Sequence, residues 1–315
     1  MLLYTSSVPR SIAQEQDIRK SSPSKPPKFT SRRIGIHTSA AGGVQNAAER
    51  AYQLGCNTFQ MFSSSPRQWA QSQLAQPQCD EMKRLREKYD LKPLVIHNNY
   101  LVNLASVTPS FLKKSIEAFR GEIERALAVC ADYLVMHPGS FRGADREQGL
   151  RQTAAAIAAS AHQLDLAKGG LTILVENSAG AEYSLGGSFE QVAEVLHYLR
   201  DVVPSAACID TCHTHVAGYD IVSEAGMKQT LAKLDNAIGL KNVRVWHCND
   251  AKAACGSKLD RHQHVGNGTI GLEPFRRLLN DPRLKHAAFI AETPIDEPGD
   301  DRRNVDALKA LVAKL

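Results

Sequence analysis

Seven side chains able to bind a metal ion stand at the ends of short apolar runs: His37, His97, His137, Glu176, Asp210, His247 and Glu292. Imidazole and carboxylate without thiolate are the donors of catalytic centres built on zinc or another first-row ion, with a position left open for water or substrate. One such residue alone has an ordinary explanation as a hydrogen-bonded histidine or a helix N-cap. Four histidines and three carboxylates gathered together do not, because burying them without counter-charge is costly and bound cations neutralise them most simply. Two further stretches carry the same donor types. CIDTCHTHVAGYD places His213 three residues after Asp210, and His215 two residues further on. HCNDAKAACGSKLDRHQHVGNG holds Asp260 and His262 with one residue between them, which turns both side chains to the same side of an extended segment. That stretch is too long for a plain connector and points to a role at the site. Cys208 and Cys212 flank Asp210, but a CxxxC spacing without a second pair reads as buried structural thiols.

These residues need elements that bring them together. From Ile34 onward, β-branched apolar runs alternate with stretches of helical periodicity, the pattern of parallel βα units. Strands are predicted at 34–37, 58–62, 94–97, 133–137, 171–176, 207–210, 243–247 and 288–292. Helices are predicted at 44–54, 109–129, 150–166, 189–199 and 231–238, with a last one from about 303 to the C-terminus. Eight units predict an α/β chain with a single (β/α)₈ TIM barrel over 34–315, a size near the roughly 250 residues usual for that fold. The first turn, HTSAAGG, lacks the GxGxxG of a dinucleotide-binding open sheet. In a barrel all strand C-termini meet on one face, so the seven residues converge there on a metal site.

Charge and composition narrow the function classes. Of 38 Lys and Arg against 33 Asp and Glu, the first 33 residues hold seven basic and two acidic, so the remainder is neutral. A neutral body argues against wrapping nucleic acid with a broad basic surface, unless bound metal supplies the positive charge. The segment 1–33, rich in Ser, Pro and Lys, is expected to be a disordered basic tail and is a candidate targeting segment. Seven cysteines, an odd number, fit free thiols in a reducing compartment. With no apolar run of about 18 residues, the expectation is a soluble intracellular protein: cytoplasmic in a bacterium, nuclear or mitochondrial in a eukaryote.

The motifs GIHTSAAGG, SPRQW, HNNYLVNL, HPGS, VENSAG, CIDTCHTHVAGYD, WHCNDAK, KLDRHQHVGNGTIG and AET occur in an order that resembles the endonuclease IV family of apurinic/apyrimidinic endonucleases. The likeness covers nearly all of 33–315. It implies a barrel with three zinc ions that cuts DNA on the 5′ side of an abasic site and trims blocked 3′ ends. Carried over by position, it implies one zinc on His97, His137 and Glu176, and a second on Asp210, His247 and Glu292 with Glu176 bridging the two. The third ion falls to His213, Asp260 and His262, with manganese an allowed substitute at one position. Glu176 is then the catalytic bridging carboxylate, beside the attacking hydroxide. His37, a strand end, becomes a lining residue behind the ligands, and His215 and His264 fall outside the set. Arg67, Tyr100 and Leu101 take the positions of side chains that enter double-stranded DNA at the lesion, where a missing base leaves a gap to fill. One departure is Asn267 between the glycines of GNG, where the family pattern has a charged residue. A monomer without membrane attachment is expected. The competing chemistry is a divalent-metal sugar isomerase on a similar barrel, which has no evident use for the Asp260–His262 stretch.

Overall fold

The computed structural model describes residues 28–69 and 73–313. In chain order the elements are β1 (Arg33–Ile36), α1 (Gln45–Gln53), β2 (Phe59–Phe62), α2 (Gln76–Tyr89), β3 (Leu94–His97), α3 (Pro109–Ala128), β4 (Tyr133–Met136) and α4 (Arg146–Ala161). They continue with β5 (Thr172–Glu176), α5 (Phe189–Leu199), β6 (Ser205–Asp210), α6 (Thr211–Val216), α7 (Glu224–Ala237), β7 (Val243–His247), β8 (Asp250–Ala251), β9 (His262–Gln263), α8 (Leu272–Asn280), β10 (Ala288–Ala291) and α9 (Asp300–Leu311).

Eight strands form one parallel sheet in the order β1-β10-β7-β6-β5-β4-β3-β2. Its two ends meet through a parallel bridge between His37 and Gln60, with the Thr38 N–H donating to the Gln60 carbonyl at 2.7 Å, and the sheet becomes a barrel. The approach of β1 to β2 is close enough to demand glycine: a Cβ on Gly35 would lie 2.1 Å from the Thr58 carbonyl oxygen. Strands such as β3 (LVIH) and β10 (AFIA) are buried at every position, as expected of strands covered on both faces. Val95, Val135, Leu174, Ala206, Cys208, Val245, Ala288 and Ile290 pack as one interior cluster, and the larger core lies between strands and helices. The barrel is therefore filled, and only its C-terminal mouth is free for chemistry.

The eight barrel strands fall within two residues of the bounds read from the sequence. Helix starts differ more, and caps explain why. Asp145 accepts from the Gln148 N–H and starts α4 four residues early, while Ser223 accepts from the Gly226 N–H and starts α7 seven residues early. The stretch after β6, where no helix is predicted from the sequence, opens with the six-residue helix α6, and the long excursion after β7 contains the antiparallel pair β8–β9. Of the expected tail at 1–33, residues 1–27 lie outside the described residues, and Arg33 already pairs with Ala288. All seven cysteines are free, and among the described residues no helix is long and apolar enough to cross a membrane.

Candidate metal centre

Glu176 ends β5 and is fully buried, with its two oxygens turned to different neighbours. Oε2 lies 3.2 Å from His97 Nε2 and 3.6 Å from His137 Nε2. Oε1 lies 3.0 Å from His247 Nδ1 and 3.4 Å from His213 Nδ1. His247 Nδ1 in turn lies 3.1 Å from Glu292 Oε2. Beyond them, His213 Nε2 is 3.2 Å from Asp260 Oδ2, and His262 Nε2 is 3.3 Å from Asp260 Oδ1 and 3.7 Å from Asp210 Oδ2. The donors gather into overlapping groups with ligand atoms within 4.8 Å of one another: His97, His137 and Glu176; Glu176, Asp210, His247 and Glu292; Asp210, His213 and His262. Asp260 and His262 also group with Cys212, so that thiol stands beside the third group although its spacing pointed to no chemistry.

The histidines are held as metal-ligating histidines are held, through the ring nitrogen that is not needed. His97 Nδ1 faces the Asn98 carbonyl at 2.8 Å, His213 Nδ1 the Asn177 carbonyl at 2.9 Å and His262 Nδ1 the Glu292 carbonyl at 3.1 Å. A backbone carbonyl can only accept, so each Nδ1 carries a proton and Nε2 is the nitrogen left to ligate a metal. His247 is turned the other way. Its Nε2 faces Gln60 Oε1 at 2.8 Å, and Nδ1 faces the carboxylates. His262 Nε2 is buried with only the Asp260 and Asp210 carboxylates in reach, at 3.3 and 3.7 Å, and forms no well-aligned hydrogen bond with either. The donor set, the tautomers and this loosely paired nitrogen all fit divalent metal.

Burial opposes every charge here, yet at most of the donors the neighbours outweigh it. Against burial, His137 and His247 hold the Glu176 carboxyl well below its ordinary value. His247 and His37 do the same for Glu292, as His213 and His262 do for Asp260. Despite burial, His213 is pushed well above the ordinary imidazole value by Asp210 and Asp260, and His247 by Cys208, Glu292 and Glu176. Asp210 and Asp260 likewise carry His262 past its own burial to about 9. His37 and His137 move the opposite way because burial dominates. Without metal, protons on the histidines supply the counter-charge that cations otherwise bring.

Residues 48–312 match the xylose isomerase-like TIM barrel family. A curated relative from Solibacter usitatus, called probable endonuclease 4, is 47% identical over 281 residues, which is 89% of this chain and 96% of the relative. This chain belongs to the endonuclease IV family. The crystal structure of endonuclease IV from Thermus thermophilus superposes with a TM-score of 0.77 at 35% identity, covering 89% of this chain and 98% of that one. A D-tagatose 3-epimerase-like protein shares the fold alone, at 19% identity and a TM-score of 0.65, covering 88% of this chain and 96% of that one.

All nine residues that the endonuclease IV resemblance implied as ligands meet at this mouth. Asp210 carries a cap and a candidate donor at once: Oδ1 accepts the His213 N–H at 2.8 Å and caps α6, which leaves Oδ2 toward His262. His213 is thus set by a buried helix rather than by a loop. His37 lies behind the donors, with Nδ1 3.1 Å from Gln60 Nε2 and 3.8 Å from Glu292 Oε1. His215 and His264 bond to Thr269 and Asn304 respectively, outside the three groups.

Three amides that the sequence reading passed over fix the donors. Gln60 joins His37, His247 and Glu292, its Nε2 donating to Glu292 Oε1 at 2.5 Å. Asn177 Oδ1 accepts from the Asp210 N–H at 2.7 Å, and Asn249 ties Asp210 Oδ2 (2.6 Å) to the Glu292 N–H (2.7 Å). An amide does not announce itself as a ligand. The usable signal was position, since Asn177 follows a strand-end donor and Gln60 lies on the strand that ends without one.

The candidate DNA side chains of this endonuclease IV chain lie on the loops after β2 and β3. Arg67 is exposed, Tyr100 is 49% exposed and Leu101 is half-buried. The Tyr100 N–H donates to the Pro66 carbonyl at 3.3 Å, and its ring meets Phe62 edge-on at 5.2 Å. Burial raises the Tyr100 phenol, Glu292 and Glu176 raise it further, and Arg67 opposes them, so loop and site charges both bear on that ring. The base of the Arg67 loop is fastened from below, where Ser63 Oγ donates to Glu122 Oε2 at 2.5 Å and accepts from Arg125 Nε at 2.8 Å.

Proposed function

We propose that this protein is a zinc-dependent apurinic/apyrimidinic endonuclease of base-excision repair. It hydrolyses the phosphodiester on the 5′ side of an abasic site in double-stranded DNA, leaving a 3′-hydroxyl and a 5′-deoxyribose phosphate, and it trims blocked 3′ ends. The observation that carries this reading is Glu176, whose two oxygens face two different donor groups. A carboxylate turned both ways is suited to hold two cations at one phosphate.

In this reading His97 and His137 hold one zinc, Asp210, His247 and Glu292 a second with Glu176 shared, and His213, Asp260 and His262 a third, manganese being accepted at one position. Zinc bound there supplies Lewis acidity and charge for attack of water on phosphorus near neutral pH. Five neutral imidazoles and four carboxylates leave such a centre with about two net positive charges, which draws a phosphate into the mouth of a neutral body. The chain's own residues do the rest. Glu176, Asp260 and Glu292 stay ionised, and Gln60, Asn177 and Asn249 keep the donors aimed. Arg67 contacts a phosphate, and Tyr100 and Leu101 fill the gap where the base is missing, with the protein acting as a monomer.

A duplex with one abasic site, incubated with and without a chelator, tests this directly. Metal-dependent incision with a 3′-hydroxyl on the upstream product is expected. Intact duplex, or activity on a ketose sugar instead, would overturn the proposal.

A further inference from the structure

The pair Asp260 and His262 is borne by a minimal hairpin. In it Asp250 stands opposite Gln263 and Ala251 opposite His262, and the Lys252 N–H adds one bond to the Arg261 carbonyl at 2.9 Å. Two residues per strand cannot by themselves hold a side chain in register. The missing restraint comes from the Asp250 side chain. Fully buried, it accepts five backbone N–H groups: Oδ1 from Ala251 at 2.8 Å and Ile270 at 2.9 Å, Oδ2 from Gly266 and Gly268 at 3.0 Å each and from Gly271 at 3.1 Å. A carboxylate offers roughly four lone-pair sites, so these donors use all of them and leave none for a metal. The charge is met by converging amide dipoles, as in an anion-binding nest.

The fit is tight. A Cβ on Gly268 would lie 2.3 Å from the Ala251 carbonyl oxygen and 2.4 Å from Asp250 Oδ1. Thr269 completes the wrapping, its N–H donating to the Ala251 carbonyl at 2.8 Å and its hydroxyl to the Ala253 carbonyl at 2.8 Å. Residues 266–271 are thereby folded around the hairpin that carries His262.

We infer that Asp250 is a positioning residue for the third donor group. By gathering 266–271 it holds β9 against β8 and so aims His262 Nε2 and Asp260 at His213. The inference rests on the three-ion reading proposed above. It assigns a role to the Asp of WHCNDAK that neither metal ligation nor contact with DNA provides.

Two variants test it from opposite sides. Asp250→Asn keeps the volume but turns one acceptor oxygen into an N–H₂ donor facing backbone donors. Gly268→Ala crowds the same cradle and leaves Asp250 intact, so it carries the test if the first variant does not fold. Zinc per chain, the rate of zinc release to a chelator and Tm are measured for each. Both variants should release one ion of three at least about tenfold faster than the unaltered protein, with the other two released at its rates. Three ions with unchanged release would overturn the inference. So would a loss of all three in step with a fall in Tm, which would make the role merely structural. Should the unaltered protein take up fewer than three ions, the three-ion reading fails. Amide exchange in the metal-free chain then decides about Asp250: faster exchange confined to 262–271 in Asp250→Asn sustains its role, and unchanged protection overturns it.

Discussion

The donors fall into two regions held by different means. Glu176, Asp210 and His247 are 0% exposed, end barrel strands and are braced by the side chains of Gln60, Asn177 and Asn249. Asp260, 26% exposed, and His262 sit on a two-residue strand pair and the turn before it, shaped by backbone amides. The barrel half is rigid because eight strands share its load. The hairpin half is rigid only as far as its local hydrogen bonds make it so. A metal centre assembled across these regions should give way on the hairpin side first.

The sharpest way to break this comparison is Glu176→Gln at its centre. Incision should fall by roughly 10³-fold or more, with zinc content falling too, in single-turnover assays and metal analysis. Retained incision with reduced zinc would remove the bridging role. Gln60→Leu should cost about 10- to 100-fold in zinc affinity by competition with a chelator, confined to the barrel-side ions. If the third ion is lost instead, the two regions are not independent. Outside both regions, Tyr100→Ala should weaken binding to abasic duplex by about 1–3 kcal/mol in titrations. Arg67→Ala should lower the salt slope of that binding by about one. Neither should alter zinc content, and a change there would tie the loops after β2 and β3 to the metal.

The smallest effect is in pH. The folded, metal-free His262 titrates at about 9 against an ordinary 6.5, so its stabilisation is complete below 6.5 and lost as pH rises through about 9. The Tm of metal-free protein should therefore carry a decline between pH 6.5 and 9, and zinc uptake at pH 7 should release protons to a pH indicator. A metal-free Tm that rises across this window, with no proton release, would contradict the pairing of His262 with Asp210 and Asp260.

The barrel and the strand-end donors were legible because parallel βα units and His or carboxylate side chains both leave marks in a sequence. Even Asp210, with its two readings as N-cap and as metal donor, satisfies the geometry of both. What stayed hidden shares a cause. The helix α6 has six residues and the strands β8 and β9 two each, too short for any hydrophobic period to register. Gln60, Asn177 and Asn249 act through partners distant in sequence, as Asp250 acts through amides that every residue but proline possesses. Cys212 was set aside on its spacing, and only the fold brings it beside Asp260 and His262.

The bond from the Tyr100 N–H to the Pro66 carbonyl has one more consequence. It ties Pro66, after β2, to Tyr100, after β3, and the Ser63–Glu122–Arg125 contact acts as a bolt that fixes the start of the first loop on α3. Changes that loosen the bolt should therefore blunt both loops together, although neither loop's own residues have been touched.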